Sequence, residues 1–268
     1  MYPRFLQFGA FVIPTYGVLA LVAAFCGIAL WTSLARRTGL DGAKIQNSGL
    51  LAVVCLVVGA RLAVVIANWR GFLEAPLLIL AAGTLASGSA AIFGVLLAAV
   101  AVVLYLLRAR MPLLRALDAA APAVILALAI LDIGDFAAGS HFGAPTTQPW
   151  SVTYTSRFAA RTTGVPLGLA VHPVQIYAAI GHFALAAGLV IMLRGRMLHG
   201  GRPGEILGTA LFADGMLRFL LAPFAGGYAD AAALFHIVTP AQAVAMLMVL
   251  LGGVCWLSRG SQPAVPHA

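Results

Sequence analysis

Charged side chains are scarce in this chain of 268 residues. Asp, Glu, Lys and Arg make up 9% of it, against roughly 25% in an ordinary soluble domain. Hydrophobic residues make up 62%, and the mean hydropathy is +1.01. This composition excludes a soluble protein and predicts a membrane protein. The net charge of +8 does not indicate nucleic acid, because the basic residues lie in short segments between apolar runs, as topology signals do.

Cysteine is rare as well. Cys26, Cys55 and Cys255 each lie inside an apolar run. We therefore predict no disulfide and no thiolate metal site, and we expect no metal and no organic cofactor. The N-terminus has no charged segment followed by a small-residue cleavage motif, so we interpret the first apolar run as a retained helix.

Long apolar runs dominate the rest of the chain. About 20 apolar residues span a bilayer as an α-helix. We predict an all-α membrane protein with one integral membrane domain over residues 1–268, a bundle of about seven transmembrane helices. The predicted spans cover about residues 10–31, 49–67, 77–107, 117–137, 172–193, 204–223 and 236–257.

The third predicted span is too long for one straight crossing, and the segment at 81–89 interrupts it. Irregular backbone at membrane depth is tolerated against protein or a water-filled cavity. Thr84, Ser87 and Ser89 therefore either line a pocket or serve as small residues in helix packing.

The distribution of basic residues predicts the orientation. Ten of the sixteen Lys and Arg residues follow spans one, three, five and seven, and four lie on the opposite side. Because cytoplasmic loops carry the excess of positive charge, we expect the N-terminus outside and the C-terminus in the cytoplasm. The loop at 138–171 then lies outside, where its length suits a small periplasmic cap.

The charged residues deep inside the predicted spans include Arg61, Arg218, Asp132 and Asp135. A charge in such a position costs about 2.5–3.5 kcal/mol on insertion scales and usually marks a functional site. The predicted orientation places all four in the outer part of the membrane. The same layer holds further polar residues, namely Tyr16, His141 and His172.

The two arginines suit phosphate oxygens, since a guanidinium stays charged and binds through a planar fork. We predict that Arg61 and Arg218 hold an anionic phospholipid. The alternative is an internal ion pair with Asp132 or Asp135 that only joins helices. The two carboxylates share one helix face and suit a general base, a metal ligand or an arginine partner, although no full metal-ligand set can be assigned.

A second cluster of polar residues lies at the start of the fifth predicted span. Gln175 and Tyr177 need hydrogen-bond partners there, and His172 is either a proton carrier or a structural group. His141 and His182 are weaker candidates. Asp214 lies one helical turn before Arg218 and is expected to pair with it.

Several short motifs together resemble the prolipoprotein diacylglyceryl transferase family, over nearly the whole chain. Each motif alone is weak, but their order and spacing are moderately specific. The matching elements are Thr15-Tyr16-Gly17, Gly59-Ala60-Arg61-Leu62, Asp118 with Pro122, Gly134-Asp135-Phe136 with Gly139 and Gly143, His172-Pro173-Val174-Gln175-Ile176-Tyr177, Gly204 with Gly208, Arg218, and Gln242.

The chain departs from the family pattern at polar positions. Asp132 stands where the family signature has Arg, and Asp135 stands where it has Asn. The family's His and two Glu residues are replaced by Ser89, Ser140 and Ala178. Ala222 and Ala225 replace an acidic and a basic residue after Arg218.

The resemblance implies an enzyme of the bacterial plasma membrane. It would transfer a diacylglyceryl group from phosphatidylglycerol to the lipobox cysteine in the signal peptide of a prolipoprotein, as a monomer. Arg61 and Arg218 would bind the phosphate, and His172, Asp132 or Asp135 would be the base. Tyr16, Gln175 and Tyr177 would orient the headgroup. The alternatives are a non-catalytic paralogue, a lipid-binding accessory protein, or an enzyme with a different lipid or acceptor.

Overall fold

A computed structural model describes residues 3–8, 11–74, 88–199, 201–226 and 239–257. In these ranges the chain is mainly helical. Two short strands, β1 (Arg4–Phe8) and β2 (Phe11–Pro14), precede the first helix and pair antiparallel. The long helices are α1 (Thr15–Arg37), α2 (Gly42–Ala67), α4 (Gly88–Arg108), α5 (Leu113–Ala138), α7 (Val174–His199), α8 (Glu205–Leu221) and α9 (Pro240–Leu257). Two short helices are α3 (Trp69–Glu74) and α6 (Arg157–Thr163).

Six of these helices are long and apolar enough to cross a membrane: α1, α2, α4, α5, α7 and α8. Their exposed faces carry large apolar side chains such as Leu21, Phe25 and Ile191, which suits contact with acyl chains. The chain is therefore a multi-pass, all-α membrane protein, as predicted. α9 is apolar but shorter, so the number of seven spans stays a prediction.

The helices differ from the predicted spans at several ends. Residues 11–14 form β2 rather than the start of the first span, and the first helix begins at Thr15. α2 and α5 begin several residues before the predicted spans, and α1 and α7 end several residues after them. Apolar composition finds the part of a helix that suits lipid, whereas backbone hydrogen bonding continues into polar ends.

By internal contacts the described chain divides into two compact units. The first comprises Met1–Gly27 and Leu117–Ala268, and the second comprises Ile28–Ala116. In the second unit α2 packs on α4, where a side chain at Gly94 would collide with the carbonyl oxygen of Leu56. Thr84 and Ser87 lie outside the described residues, while Ser89 lies in the first turn of α4.

In the first unit α8 packs on α7 and on α9. A Cβ atom at Gly252 would lie 2.6 Å from the carbonyl oxygen of Gly208, so the α8–α9 approach requires glycine there. α8 begins against the buried carboxylate of Asp118 on α5. That carboxylate accepts hydrogen bonds from the backbone N–H of Gly204 and, at 2.9 Å, of Leu207. A buried acid thus caps the start of α8.

The segment between α5 and α7 is folded. Strands β3 (Val152–Thr153) and β4 (Ala170–Val171) pair antiparallel, and Ser156 caps α6 by accepting from the N–H of Ala159. Tyr154, Ala159, Val165 and Val171 form a small buried core. A polar, Pro-rich stretch therefore gains an apolar interior of its own, and it holds the residues that follow α5 against those that precede α7.

Candidate active site

Four ionisable side chains form a continuous chain of hydrogen bonds between α5, α7 and α8. His182 Nδ1 lies 2.6 Å from Asp132 Oδ2, and His182 Nε2 lies 2.8 Å from Asp214 Oδ1. Arg218 Nε donates to both carboxylate oxygens of Asp214 at 3.0 Å. We call Asp132, His182, Asp214 and Arg218 the polar relay.

The relay follows from helix geometry. Asp214 and Arg218 are four residues apart on α8, which places them on one face. α7 supplies His182, and its Gly181 lies so close to Leu217 of α8 that a Cβ atom there would be 2.7 Å from a leucine methyl carbon. This close approach brings the imidazole to the carboxylate of Asp214.

The two carboxylate partners favour a doubly protonated His182. Ionised carboxylates only accept hydrogen bonds, so both ring nitrogens of His182 donate when both contacts are formed. The side chain of His182 is 3% exposed and that of Asp214 is 4% exposed. Ionisable groups this deep are stabilised by mutual pairing. Neither nitrogen retains a lone pair for another proton.

Arg218 is the accessible end of the relay, since its side chain is 43% exposed. Its hydrogen bonds to Asp214 both use Nε. Neither terminal Nη group hydrogen-bonds that carboxylate in the described part of the chain. A guanidinium held through Nε, with its Nη groups left to donate, suits an oxyanion such as a phosphate.

Asp135 has a different partner from Asp132. Its Oδ2 lies 3.2 Å from Nδ1 of His141, which follows the end of α5 and has a positive φ of 50°. Gly139 directly follows α5. Its φ is +81°, and its N–H donates to the carbonyl of Asp135. The hydrogen bond to Asp135 raises the pKa of His141 above its usual value. The two carboxylates thus serve two different histidines.

His172 lies in an aromatic environment. Its ring packs edge-on against Phe224 and Tyr177, with centroids 5.3 and 6.2 Å apart. Its Nδ1 is 3.4 Å from Tyr177 Oη, and that oxygen accepts from Trp150 Nε1 at 2.7 Å. Among the described residues, these contacts hold the imidazole without a carboxylate partner.

Gln175 is almost fully buried, at 3% exposure. Its Nε2 donates to the carbonyl of Ser140 at 2.6 Å and to Tyr154 Oη at 3.3 Å. Within the described part of the chain its Oε1 has no hydrogen-bond partner. Burial raises the pKa of Tyr154, which keeps this phenol neutral. Gln175 thereby joins the start of α7 to the residue that follows Gly139.

The remaining predicted site residues lie in different units. Tyr16 is 39% exposed and packs on Gly134 of α5, near the carboxylates of Asp132 and Asp135 in the first unit. Arg61 belongs to the second unit, where its guanidinium carbon lies 5.7 Å from the ring centroid of Phe72.

The structure brings some predicted residues together and reassigns others. The predicted pairing of Asp214 with Arg218 is confirmed. Asp132 binds His182 instead of an arginine, and His182, ranked below His172 from sequence, joins three elements. The signal for His182 and Asp214 was present, since each is an ionisable residue within an apolar span.

These features define a class: a multi-pass helical membrane protein with a buried relay of charges that ends in an accessible arginine. A family model described as prolipoprotein diacylglyceryl transferase matches residues 3–258. The chain belongs to this family of transferases.

Individual relatives agree with the family match. A phosphatidylglycerol--prolipoprotein diacylglyceryl transferase from Parasynechococcus marenigrum (strain WH8102) is 30% identical over 97% of this chain and 95% of its own length. Proteins of the same name from Synechococcus sp. (strain CC9902) and Fusobacterium nucleatum are 31% and 33% identical. Their alignments cover 72% and 58% of this chain, and 67% and 53% of the respective relatives.

Proposed function

We propose that this protein transfers a diacylglyceryl group from phosphatidylglycerol to the lipobox cysteine of prolipoproteins in the bacterial plasma membrane. The names of its relatives support the substrates. The observation that carries the assignment to a site is Arg218, an accessible guanidinium anchored by a carboxylate that is 4% exposed.

The chemistry is a substitution at carbon. The cysteine sulfur forms a bond to the glyceryl carbon that bears the phosphate, and the bond between that carbon and the phosphate oxygen breaks. Glycerol phosphate leaves with the electron pair, and the thiol proton passes to a base. Negative charge grows on the departing phosphate, where a fixed cation lowers the barrier.

Arg218 stabilises that phosphate. Its Nε is held by Asp214, and among the described residues its hydrogen bonds all use Nε, so its Nη groups can meet the phosphate. Tyr16, Gln175 and Tyr177 orient the headgroup by hydrogen bonds.

His172 is the base in this proposal. Asp132 and Asp135 already contact His182 and His141, whereas no carboxylate contacts His172 among the described residues. With a proton on Nδ1 directed at Tyr177 Oη, the Nε2 atom of His172 is free to accept the thiol proton.

The orientation follows the basic residues, with the N-terminus outside and the C-terminus in the cytoplasm. The 138–171 loop and the site then lie on the extracytoplasmic side, where secreted prolipoproteins emerge. The protein acts as a monomer in this proposal.

The decisive experiment uses the full chain in phosphatidylglycerol-containing micelles with a lipobox peptide. Arg218→Ala abolishes transfer, because it removes the cation at the developing charge, with a loss of about 100-fold or more. Mass spectrometry of the peptide detects the added diacylglyceryl group. Arg161→Ala, at an exposed position of α6, is the matched control and retains activity.

The same assay separates the alternatives. Transfer by the wild type and unchanged transfer by Arg218→Ala would contradict the role of this arginine. Phosphatidylglycerol binding without transfer by the wild type would indicate an accessory protein. Complementation of a strain depleted of its own transferase then tests the activity in cells.

A further inference from the structure

His182 has no role in the reaction as written above, yet it contacts two carboxylates of the first unit. It is 3% exposed, and each ring nitrogen faces a carboxylate. A base needs a nitrogen lone pair that substrate can reach. His182 offers none, so its function differs from that of His172.

The charges of the polar relay alternate in sign. Asp132 is negative, doubly protonated His182 is positive, Asp214 is negative and Arg218 is positive, so the four groups together are neutral. His182 and Asp214 are buried in the middle of the relay, Asp132 is 19% exposed at one end, and Arg218 is 43% exposed at the other. Arg218 is therefore the most accessible group of the relay.

Asp214 is held from two sides. Its Oδ1 accepts from His182 Nε2 at 2.8 Å, while both oxygens accept from Arg218 Nε at 3.0 Å. The imidazole fixes the plane of the carboxylate, and the carboxylate fixes the plane of the guanidinium. Asp132 fixes the imidazole in turn, through a 2.6 Å contact to Nδ1.

We propose that His182 is a positioning residue, which acts through Asp214 to hold the Arg218 guanidinium ready for the phosphate of an anionic lipid headgroup. This inference rests on the proposed role of Arg218. It assigns Asp132 to the same task, as the group that keeps the imidazole charged and oriented. Preorganisation of this kind strengthens anion binding, because less ordering remains to be done when the ligand arrives.

The test measures binding and turnover separately in His182→Gln. Loss of a charged hydrogen bond next to the guanidinium should weaken glycerol phosphate binding about tenfold or more in isothermal titration calorimetry. The KM for phosphatidylglycerol should rise in parallel. A merely structural role would lower the folded fraction and leave both constants of the monodisperse protein unchanged.

Two double variants test whether His182 acts through Arg218. In Arg218→Ala, adding His182→Gln should cause no further loss of glycerol phosphate affinity, because the group being positioned is gone. Asp132→Asn combined with His182→Gln removes one negative and one positive charge. This double variant should bind glycerol phosphate more tightly than His182→Gln alone, which leaves the Asp132 charge buried without its imidazolium. If His182→Gln alone fails to fold, the affinity of this double variant is compared with that of the wild type instead.

Wild-type affinity in His182→Gln would overturn the proposal, as would additive losses with Arg218→Ala or a double variant no better than the single one. Thr209→Ala, which removes a hydroxyl hydrogen bond on α8 outside the relay, is the control and keeps wild-type constants. If the wild type binds glycerol phosphate but transfers nothing to the peptide, the proposed function fails while the positioning role is still measured by binding.

Discussion

His172 precedes α7 by two residues and His182 lies ten residues further along, within that helix, yet their surroundings differ in kind. His172 is half-buried among Tyr177 and Phe224, and no carboxylate contacts it in the described part of the chain. His182 is buried between two carboxylates. The first environment leaves a nitrogen available for proton transfer, and the second uses both nitrogens to hold neighbours. Residue type alone therefore does not decide whether a membrane histidine reacts or positions.

The largest effect that tests this comparison comes from His172→Gln. Removal of the base should lower kcat by about 100-fold or more and leave glycerol phosphate affinity near that of the wild type, because the relay is intact. Steady-state kinetics with a lipobox peptide, together with calorimetry, give the two values. This is the reverse of the pattern expected for His182→Gln.

An unchanged kcat in His172→Gln would contradict its assignment as the base. The kinetics of Asp135→Asn in the same assay would then show whether that carboxylate takes the proton. A parallel fall in glycerol phosphate affinity would instead indicate that His172 contacts the headgroup.

A smaller effect is expected from Asp118, which differs from Asp132 of the same helix in what it binds. Asp118 caps α8 through backbone N–H groups, whereas Asp132 contacts a side chain of the relay. Asp118→Ala should destabilise the protein by about 1–2 kcal/mol and lower the thermal unfolding midpoint in detergent. Transfer per folded molecule should be unchanged, because Asp118 lies outside the relay.

The matched control for that variant is Asp41→Ala. Asp41 caps α2 at an exposed position by accepting from the N–H of Ala43 at 2.9 Å. Water replaces an exposed cap more readily than a buried one, so its loss should lower the midpoint less. An equal fall in both midpoints would show that burial of Asp118 adds nothing to the cap.

The smallest effect concerns a third histidine, His141, which lies at the surface and contacts a carboxylate. Its pKa is raised by the hydrogen bond to Asp135. The pairing therefore stabilises the folded state fully below the usual histidine pKa of about 6.5. This contribution is lost as pH rises through the higher folded value.

His141→Asn should therefore reduce the fall in unfolding midpoint between about pH 6 and about pH 8. The side chain is 76% exposed, so the difference should be small. Thermal unfolding at several pH values measures it. An identical pH dependence in wild type and variant would contradict a stabilising pair.

Much of the fold was predictable from composition and spacing. Apolar runs located each long helix, although they misplaced ends such as Thr15, because lipid-facing composition and backbone hydrogen bonding stop at different residues. The pairing of Asp214 with Arg218 was also predictable, since four residues separate neighbours on a helix face. In contrast, the partner of Asp132 is 50 residues away along the chain, beyond any local pattern.

The sequence by itself determined that this chain crosses a membrane, and it predicts a functional role for the few ionisable residues inside its apolar spans, because hydrocarbon penalises charge wherever it lies. Only the tertiary structure decided which charges meet. The close approach of α7 to α8 and the position of α5 set His182 between Asp132 and Asp214. Hydrogen bonds act over about 3 Å, so helix packing, rather than residue type, made His182 the centre of the relay.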